Sequence, residues 1–255
     1  MCLIALAWKA RPDLPLVVAA NRDEWRERAA QPAHWWPDHP RIFAGRDLQA
    51  GGTWMGITRD GRFAAVTNFR DPADKRSTAR SRGGLVTDFL LGGASPRDYL
   101  ASLATHVGEY NGFNLILGDG ASLWYFGSRE GEGRAIEPGV HGLSNHLLDE
   151  PWPKVVRARM AMEGTLGDRD PSTKLFAALS DGDGAPDASL PETGVGITWE
   201  RRLASPLITG TDYGTRCSTV VAFAADGGIA FEERTRGADG AVTATRRERV
   251  QVERV

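Results

Sequence analysis

Short apolar runs separated by turn-forming residues dominate both ends of the chain. The first two runs, Leu3 to Ala10 and Pro15 to Asn21, are rich in Leu, Ile and Val and flank Arg11-Pro12-Asp13-Leu14, a segment typical of a turn. They predict a β-hairpin that begins at residue 2. The amino-terminal end is therefore expected to be held in a sheet rather than frayed.

Further hairpins are predicted wherever an Asp-Gly pair lies between two apolar runs, because this dipeptide favours the tight turns that join antiparallel strands. Such pairs occur at 60–61, 119–120 and 226–227. The predicted strands are Thr53 to Thr58, Arg62 to Asn68, Gly112 to Leu117, Ser122 to Phe126, Ser218 to Ala224 and Gly228 to Glu233, followed by a last strand from Ala241 to Val252.

A helical block interrupts these hairpins in the middle of the chain. Ser95-Pro96 and Asp170-Pro171 each combine a capping residue with a proline suited to the first helical turn. The predicted helices are Gly84 to Leu91, Pro96 to Tyr110, Pro153 to Leu166 and Pro171 to Leu179. Antiparallel hairpins around such a block indicate a layered α+β fold, which we interpret as a single domain spanning residues 1–255.

Residues 181–211 are rich in Gly, Pro and Asp. Asp181 to Leu190 and Pro191 to Thr211 are therefore predicted to form a long irregular segment, either a lid or a disordered connection.

Composition narrows the possible functions. The chain has 41% hydrophobic residues, 31 basic and 33 acidic side chains. A balance so close to neutral gives no overall field that would attract nucleic acid. The run from Cys2 to Trp8 is too short to span a bilayer and lacks the features of a secretory signal, so stable membrane insertion is not expected and we predict a cytoplasmic protein.

Cysteine and histidine usage argues against a metal site. The chain has two cysteines and five scattered histidines, without the spacing of metal ligands. No metal and no cofactor is therefore predicted. Cys217, in an apolar strand start, is expected to be buried and inert, and the histidines His34, His39 and His146 to lie at the surface or in turns.

Cys2 is the first candidate for catalysis. Removal of Met1 would place a thiol and a free α-amine on one residue, and an amine with a pKa of roughly 7.7 to 8.0 can accept the thiol proton near neutral pH. The alternative is that Cys2 is a small buried hydrophobic residue at the start of a strand.

The polar tetrapeptide Asn21-Arg22-Asp23-Glu24 ends the second strand of the first hairpin, and antiparallel pairing brings it beside Cys2. A guanidinium there would stabilise a thiolate, and a carboxylate would hold the amine. Adjacent strand residues point to opposite faces, so Arg22 and Asp23 can both reach Cys2 only if a strand bends or bulges. A solvated charged turn is the alternative.

Asn68 and Asn145, at predicted strand ends, are candidate donors to an oxyanion, although asparagine is also common in turns. The tryptophans Trp35, Trp36, Trp54, Trp124 and Trp199 could line an apolar pocket, but core or rim packing is the favoured interpretation.

Several segments together resemble the NRDE family, which includes the transport and Golgi organisation 2 homologues. They are Cys2-Leu3-Ile4, Ala20-Asn21-Arg22-Asp23-Glu24, Gly51-Gly52-Thr53-Trp54-Met55-Gly56, Thr67-Asn68-Phe69-Arg70, Ser81-Arg82-Gly83-Gly84-Leu85, Leu143-Ser144-Asn145 and Thr215-Arg216-Cys217-Ser218-Thr219. That family is similar in plan to cysteine N-terminal-nucleophile amidases such as bile salt hydrolases and penicillin V acylases. The resemblance implies a four-layer αββα sandwich of antiparallel sheets.

The same resemblance implies roles for individual residues. Cys2 would be the nucleophile, Arg22 and Asp23 its organisers, and Asn68 and Asn145 oxyanion or substrate-positioning groups. Asn21, Trp54 and Arg216 are predicted to contact the substrate. In this sequence Arg and Asp are contiguous rather than spaced as in those amidases, and Arg216 and Arg201 are the candidates for their later active-site arginine.

The sequence thus predicts a hydrolase that cleaves an amide bond of a small acyl substrate. The alternative is a non-enzymatic protein that binds or handles a lipid, an acyl thioester or haem, with Cys2 as a possible ligand.

Overall fold

The computed structural model of the chain describes residues 2–74 and 76–252. Its strands are Cys2–Trp8 (β1), Leu16–Trp25 (β2), Ala30–Trp35 (β3), Ile42–Asp47 (β4), Met55–Thr58 (β5), Phe63–Asn68 (β6), Phe113–Gly118 (β7), Leu123–Gly127 (β8), Gly133–Ala135 (β9), Gly139–Leu143 (β10), Tyr213–Phe223 (β11), Gly228–Arg236 (β12) and Val242–Gln251 (β13). Its α-helices are Gly83–Leu91 (α1), Pro96–Ala104 (α2), Pro153–Glu163 (α3), Ser172–Leu179 (α4) and Ile197–Leu203 (α5).

The strands form two antiparallel sheets that pack face to face. The first sheet has the order β10-β1-β2-β11-β12-β13, and the second runs β3 to β9 in chain order. Helices α3 and α4 cover the outer face of the first sheet, and α1 and α2 cover that of the second. The predicted four-layer αββα sandwich is therefore confirmed.

β1 is buried on both faces, which explains its continuous apolar sequence. Ile4 and Leu6 belong to the core between the two sheets, whereas Leu3 and Ala5 pack beneath α3 and α4. By the same alternation, the side chain of Cys2 lies on the side between the sheets. The apolar pattern thus determines which face the thiol uses.

The predicted hairpins are present, with ends shifted by a few residues, but some elements differ from the sequence prediction. The helix predicted from Pro96 to Tyr110 ends at Ala104 and is followed by a 3₁₀ turn, Val107–Glu109. Strands β3, β4, β9 and β10 were not predicted. β3 carries a proline and exposed positions, and β9 has 3 residues, so neither shows a clear alternation.

The prediction of an irregular segment over residues 181–211 was wrong in part, because this segment contains α5. With 7 residues, α5 is too short for a helical apolar period to show in the sequence. Leu203 and Trp199 of this helix pack against Tyr213 at the start of β11.

Candidate active site

The hairpin register places Cys2 directly opposite Arg22, and Arg22 opposite Cys217 on the other neighbouring strand. Arg22 lies on the face between the sheets. Its guanidinium carbon is 4.3 Å from the ring centre of Trp54, and its Nη2 atom is 3.9 Å from the carboxylate of Asp47. A cationic group is therefore fixed on the strand beside the thiol.

Asp23 and Asn21 use the opposite face of β2, toward the helices. The Thr215 hydroxyl donates to Asp23 Oδ1 at 2.7 Å, and the Asn21 side-chain amide donates to the carbonyls of Leu179 and Pro206, each at 2.8 Å. A β-bulge does occur beside the tetrapeptide, between Thr215 and Cys217 of β11. Its extra residue is Arg216.

The pKa of the Cys2 thiol depends on both Arg22 and Asp23. Burial raises the pKa of Cys2 above its ordinary value of 9.0, and the negative charge of Asp23 acts in the same direction. The positive charge of Arg22 and a hydrogen bond from the Asp23 backbone N–H oppose this increase. Asp23 therefore acts on the Cys2 thiol through its backbone N–H as well as through its charge. Arg22 and Asp23 can thus both affect Cys2 although their side chains lie on opposite faces of β2.

Asn145 and Ser144 fasten the start of β1 to the second sheet. The Asn145 side-chain amide donates to the backbone carbonyl of Asn68 at 2.9 Å, and Asn145 has no exposed surface. The Ser144 hydroxyl donates to the carbonyl of Cys2 at 3.0 Å. Asn68 and Cys2 both line a cavity at the end of β2. Asn145 contacts the backbone of Asn68 and is not among the residues that line this cavity.

Of the predicted substrate contacts, Trp54 lies in the cavity and Arg216 does not. Trp54 lines the cavity, but the guanidinium of Arg216 donates to the backbone carbonyls of Trp25, Arg26 and Arg28. Arg216 therefore fixes the turn after β2 and is not part of the cavity wall. Arg201 forms an exposed ion pair with Asp187.

A cavity of about 380 Å³ opens where β1 begins and β2 ends. Cys2, Arg22, Asp23, Trp54 and Asn68 belong to its wall. The rest of the wall comes from the segment before α1 and the ends of β2 and β4, and is largely charged or hydroxylated. Cys2 is thus a partly exposed residue on the wall of a polar cleft.

Comparison with known proteins assigns the chain to a family. Residues 1–238 match the family model described as Transport and Golgi organisation 2. The chain belongs to this family. It is 36% identical over 257 residues to the Transport and Golgi organization protein 2 homolog of Bos taurus, covering 92% of this chain and 93% of that protein. The Homo sapiens homolog is 34% identical with the same coverage.

Solved structures with a similar fold are amidases. One is the Caenorhabditis elegans ortholog of N-acylethanolamine-hydrolyzing acid amidase, with a TM-score of 0.50, 10% identity, and coverage of 86% of this chain and 92% of that chain. Another is the C2A mutant of the conjugated bile acid hydrolase from Clostridium perfringens, with a TM-score of 0.51, 9% identity, and coverage of 100% and 94%. At these identities the likeness establishes an N-terminal-nucleophile hydrolase fold for this member of the Transport and Golgi organisation 2 family.

A buried lysine that was not predicted from the sequence lies near Asp23 in this family member. Lys154 is 1% exposed, and its Nζ atom has no hydrogen-bond partner among residues 2–74 and 76–252. Burial lowers the pKa of Lys154 to about 8, and attraction to Asp23 limits the decrease. Lys154 is the second residue of α3, directly after Pro153. Nothing in the sequence distinguishes it from an ordinary surface lysine.

Tyr213 and the Arg70–Glu200 pair complete the polar surroundings of Asp23. Tyr213 is 3% exposed, and its hydroxyl has no hydrogen-bond partner in the described part of the chain. Arg70 donates to Glu200 Oε2 at 2.6 Å, with both side chains 4% exposed. Arg70 follows Asn68 in a family segment, but its partner comes from α5, the unpredicted helix.

The described residues show neither a membrane-spanning helix nor a cluster of metal ligands. Within residues 2–74 and 76–252, no helix is long and apolar enough to cross a membrane. The same residues contain no group of three or more His, Cys, Asp or Glu side chains arranged to hold a metal ion.

Proposed function

We propose that this chain is a cysteine amidohydrolase that cleaves the amide bond of a small acyl substrate after Met1 has been removed. One observation carries the proposal: Cys2 begins a strand of the central sandwich, in register with Arg22, on the wall of a polar cavity shared with Asp23 and Asn68. A cysteine packed only as a hydrophobic residue would have no need of a charged cleft.

In the proposed reaction the α-amine of Cys2 takes the thiol proton, and the thiolate attacks the carbonyl carbon of the amide. In this scheme the side-chain amide of Asn68, which lines the cavity with Cys2, would donate to the developing oxyanion. The α-ammonium then gives its proton to the leaving amine as the C–N bond breaks. Water, deprotonated by the same amine, releases the acid and restores the thiol.

Asp23 serves as a positioning residue in this scheme. Its carboxylate is held by Thr215 and lies in the positive field of Lys154 and Arg70, which opposes the increase in pKa that burial causes. The net effect is a raised pKa of Asp23. In its ionised form this carboxylate would hold the α-ammonium and orient it toward the thiol. Lys154 would act through Asp23 and not on the substrate.

The cavity favours this proposal over the binding of a lipid or haem. Its wall is dominated by charged and hydroxylated side chains, whereas lipid sites are mainly apolar. Among the described residues of the wall there is no histidine, so a haem would depend on Cys2. Mass spectrometry tests the first requirement: the mature protein is expected to lack Met1, and a fully retained Met1 would refute the mechanism.

The reactivity of Cys2 should depend on pH differently before and after Met1 removal. With Met1 attached, the raised thiol pKa keeps the thiolate scarce at neutral pH, so alkylation by iodoacetamide is expected to rise with pH through and beyond 9. With the α-amine free, the profile should shift down by at least about one pH unit, because that amine titrates at roughly 7.7 to 8.0.

Rates of alkylation measured by mass spectrometry from pH 6 to 10 would compare the two forms. The unprocessed form can be produced in cells treated with a methionine aminopeptidase inhibitor. Superimposable profiles would show that the amine does not act on the thiol.

Asp23→Asn is expected to slow acylation of Cys2 by an activated amide or ester about 100-fold, because the amine loses the carboxylate that orients it. Thr215 can still donate to the asparagine oxygen, so the fold should be kept. The variant should also lose the neutral limb of the pH profile, which a purely structural role would not change. Asp38→Asn is the control, since Asp38 pairs with Arg46 at 2.7 Å outside the cavity. Equal acylation rates in both variants would contradict the role of Asp23.

A further inference from the structure

Arginines outnumber carboxylates on the wall of the cavity. Among the described residues of the wall, five arginines stand against Asp23, Glu24 and Asp47. The arginines are Arg22, Arg28, Arg76, Arg80 and Arg82. This excess contrasts with the whole chain, whose formal net charge is −2.

Three of these arginines are already occupied. Arg28 lies 2.7 Å from the carboxylate of Asp47, and Arg80 lies 2.8 Å from that of Glu109. Arg76 lies 4.0 Å from Asp74 and donates to the carbonyl of Gly108 at 2.7 Å. Their guanidinium groups are therefore held by the protein itself.

Arg82 has no such carboxylate partner, and Arg22 has only the contact with Asp47 at 3.9 Å, a carboxylate that Arg28 approaches more closely at 2.7 Å. Arg82 has one hydrogen bond, from Nη1 to the carbonyl of Gly112 at 3.0 Å, and no carboxylate within 4.0 Å in the described part of the chain. Arg22 is 6% exposed, and its Nη1 atom has no hydrogen-bond partner among the same residues. Burial lowers the pKa of Arg82, and attraction to the more distant Glu24 and, to a smaller extent, to Cys2 opposes this decrease.

Keeping an uncompensated cation away from water is costly, and an anion bound beside it reduces that cost. A guanidinium presents a planar fork of donors that fits a carboxylate or a phosphate. Arg82 comes directly before α1 and is partly exposed on the cavity wall, whereas Arg22 is buried opposite Cys2.

We propose that the substrate carries an anionic group, a carboxylate or a phosphate, which binds to Arg82 while the scissile carbonyl faces Cys2. This inference rests on the proposed function and narrows its substrate class to acidic acyl compounds.

The test uses three acylating probes with the same reactive carbonyl and a carboxylate, a phosphate or a neutral end group. For the processed full-length protein at low salt, the better anionic probe is expected to acylate Cys2 about 10- to 100-fold faster than the neutral probe. The faster of the two anionic probes identifies the preferred group. Equal rates for all three probes would overturn the inference.

Arg82→Gln should reduce the ratio of the anionic-probe rate to the neutral-probe rate to about one, since one charge-assisted contact to the anionic probe is lost. Arg97→Gln is the matched control, because Arg97 is exposed on α2 outside the cavity. An unchanged preference in Arg82→Gln would also overturn the inference. If this variant is unstable, competition in the wild-type protein replaces it: inorganic phosphate should slow the anionic probe and not the neutral one.

The two proposals fail in different ways. If the neutral probe acylates Cys2 without any preference for an anion, the hydrolase proposal stands and the anion site does not. If no probe reacts at Cys2, the hydrolase proposal fails, and calorimetric binding of the anionic probe to wild type but not to Arg82→Gln would still support an anion site. Equal affinity of both proteins would refute it.

Discussion

Cys2→Ala is expected to abolish covalent acylation, reducing the rate by at least roughly 10³-fold to the background of the assay, because no other group supplies the nucleophile. The fold should remain, since Cys2 is partly exposed at the start of β1 and alanine is only slightly smaller. The free energy of unfolding should change by less than about 1 kcal/mol. Intact-mass detection of the acyl adduct and a denaturant titration measure the two effects.

Cys217→Ala provides the control with the other cysteine of the chain. Cys217 is 5% exposed, and burial raises the pKa of its thiol well above 9.0, so it should not compete for the probe. Acyl adducts on Cys217→Ala should equal those on wild type. Adducts that persist on Cys2→Ala would refute the nucleophile. Specific lipid binding that this variant keeps, or haem binding that it loses, would favour a non-enzymatic role.

Arg70→Met should lower the free energy of unfolding by about 3 to 5 kcal/mol, because it leaves a buried carboxylate without its cation. Arg70 and Glu200 are each 4% exposed and 2.6 Å apart, and the guanidinium carbon of Arg70 lies 4.6 Å from the ring centre of Trp152. The pair connects α5 to the segment after β6. Because methionine retains much of the volume of the side chain, the decrease in the free energy of unfolding reports mainly on the lost charge.

Chemical denaturation of Arg70→Met, Glu200→Gln and the double variant isolates the interaction. The double variant should recover part of the loss, since neither charge is then left alone. Arg41→Met is the surface control: Arg41 and Asp60 are equally close at 2.7 Å but 52% and 47% exposed, so the expected change is below about 1 kcal/mol. A similarly small change in Arg70→Met would contradict the assigned role of the buried pair.

The position of Cys2 could be predicted from sequence because it depends on local rules. An apolar run, a four-residue turn and a second run lead to the pairing of Cys2 with Arg22, and this register is observed. The position of Asp23 needed more information. Alternation predicts that it turns away from Arg22, but its backbone contact with the thiol depends on tertiary structure.

Residues that reach the site from distant elements could not be predicted in the same way. Lys154, Glu200 and Arg82 come from three different helices or helix starts, and their roles depend on long-range packing. In the sequence each is one charged residue among many. What distinguishes Lys154 and Glu200 is burial, which appears only when α3 covers the first sheet and α5 packs against the start of β11.

The row formed by Cys2, Arg22 and Cys217 also bears on oxidation. Because β2 runs between the two cysteine strands, their Cα atoms are separated by two strand spacings, roughly 10 Å, whereas a disulfide requires less than about 7 Å. An internal disulfide with Cys217 therefore cannot inactivate Cys2, the proposed nucleophile. Oxidants would have to act through a sulfenic acid or a mixed disulfide with a diffusible thiol, and both of these are reversible.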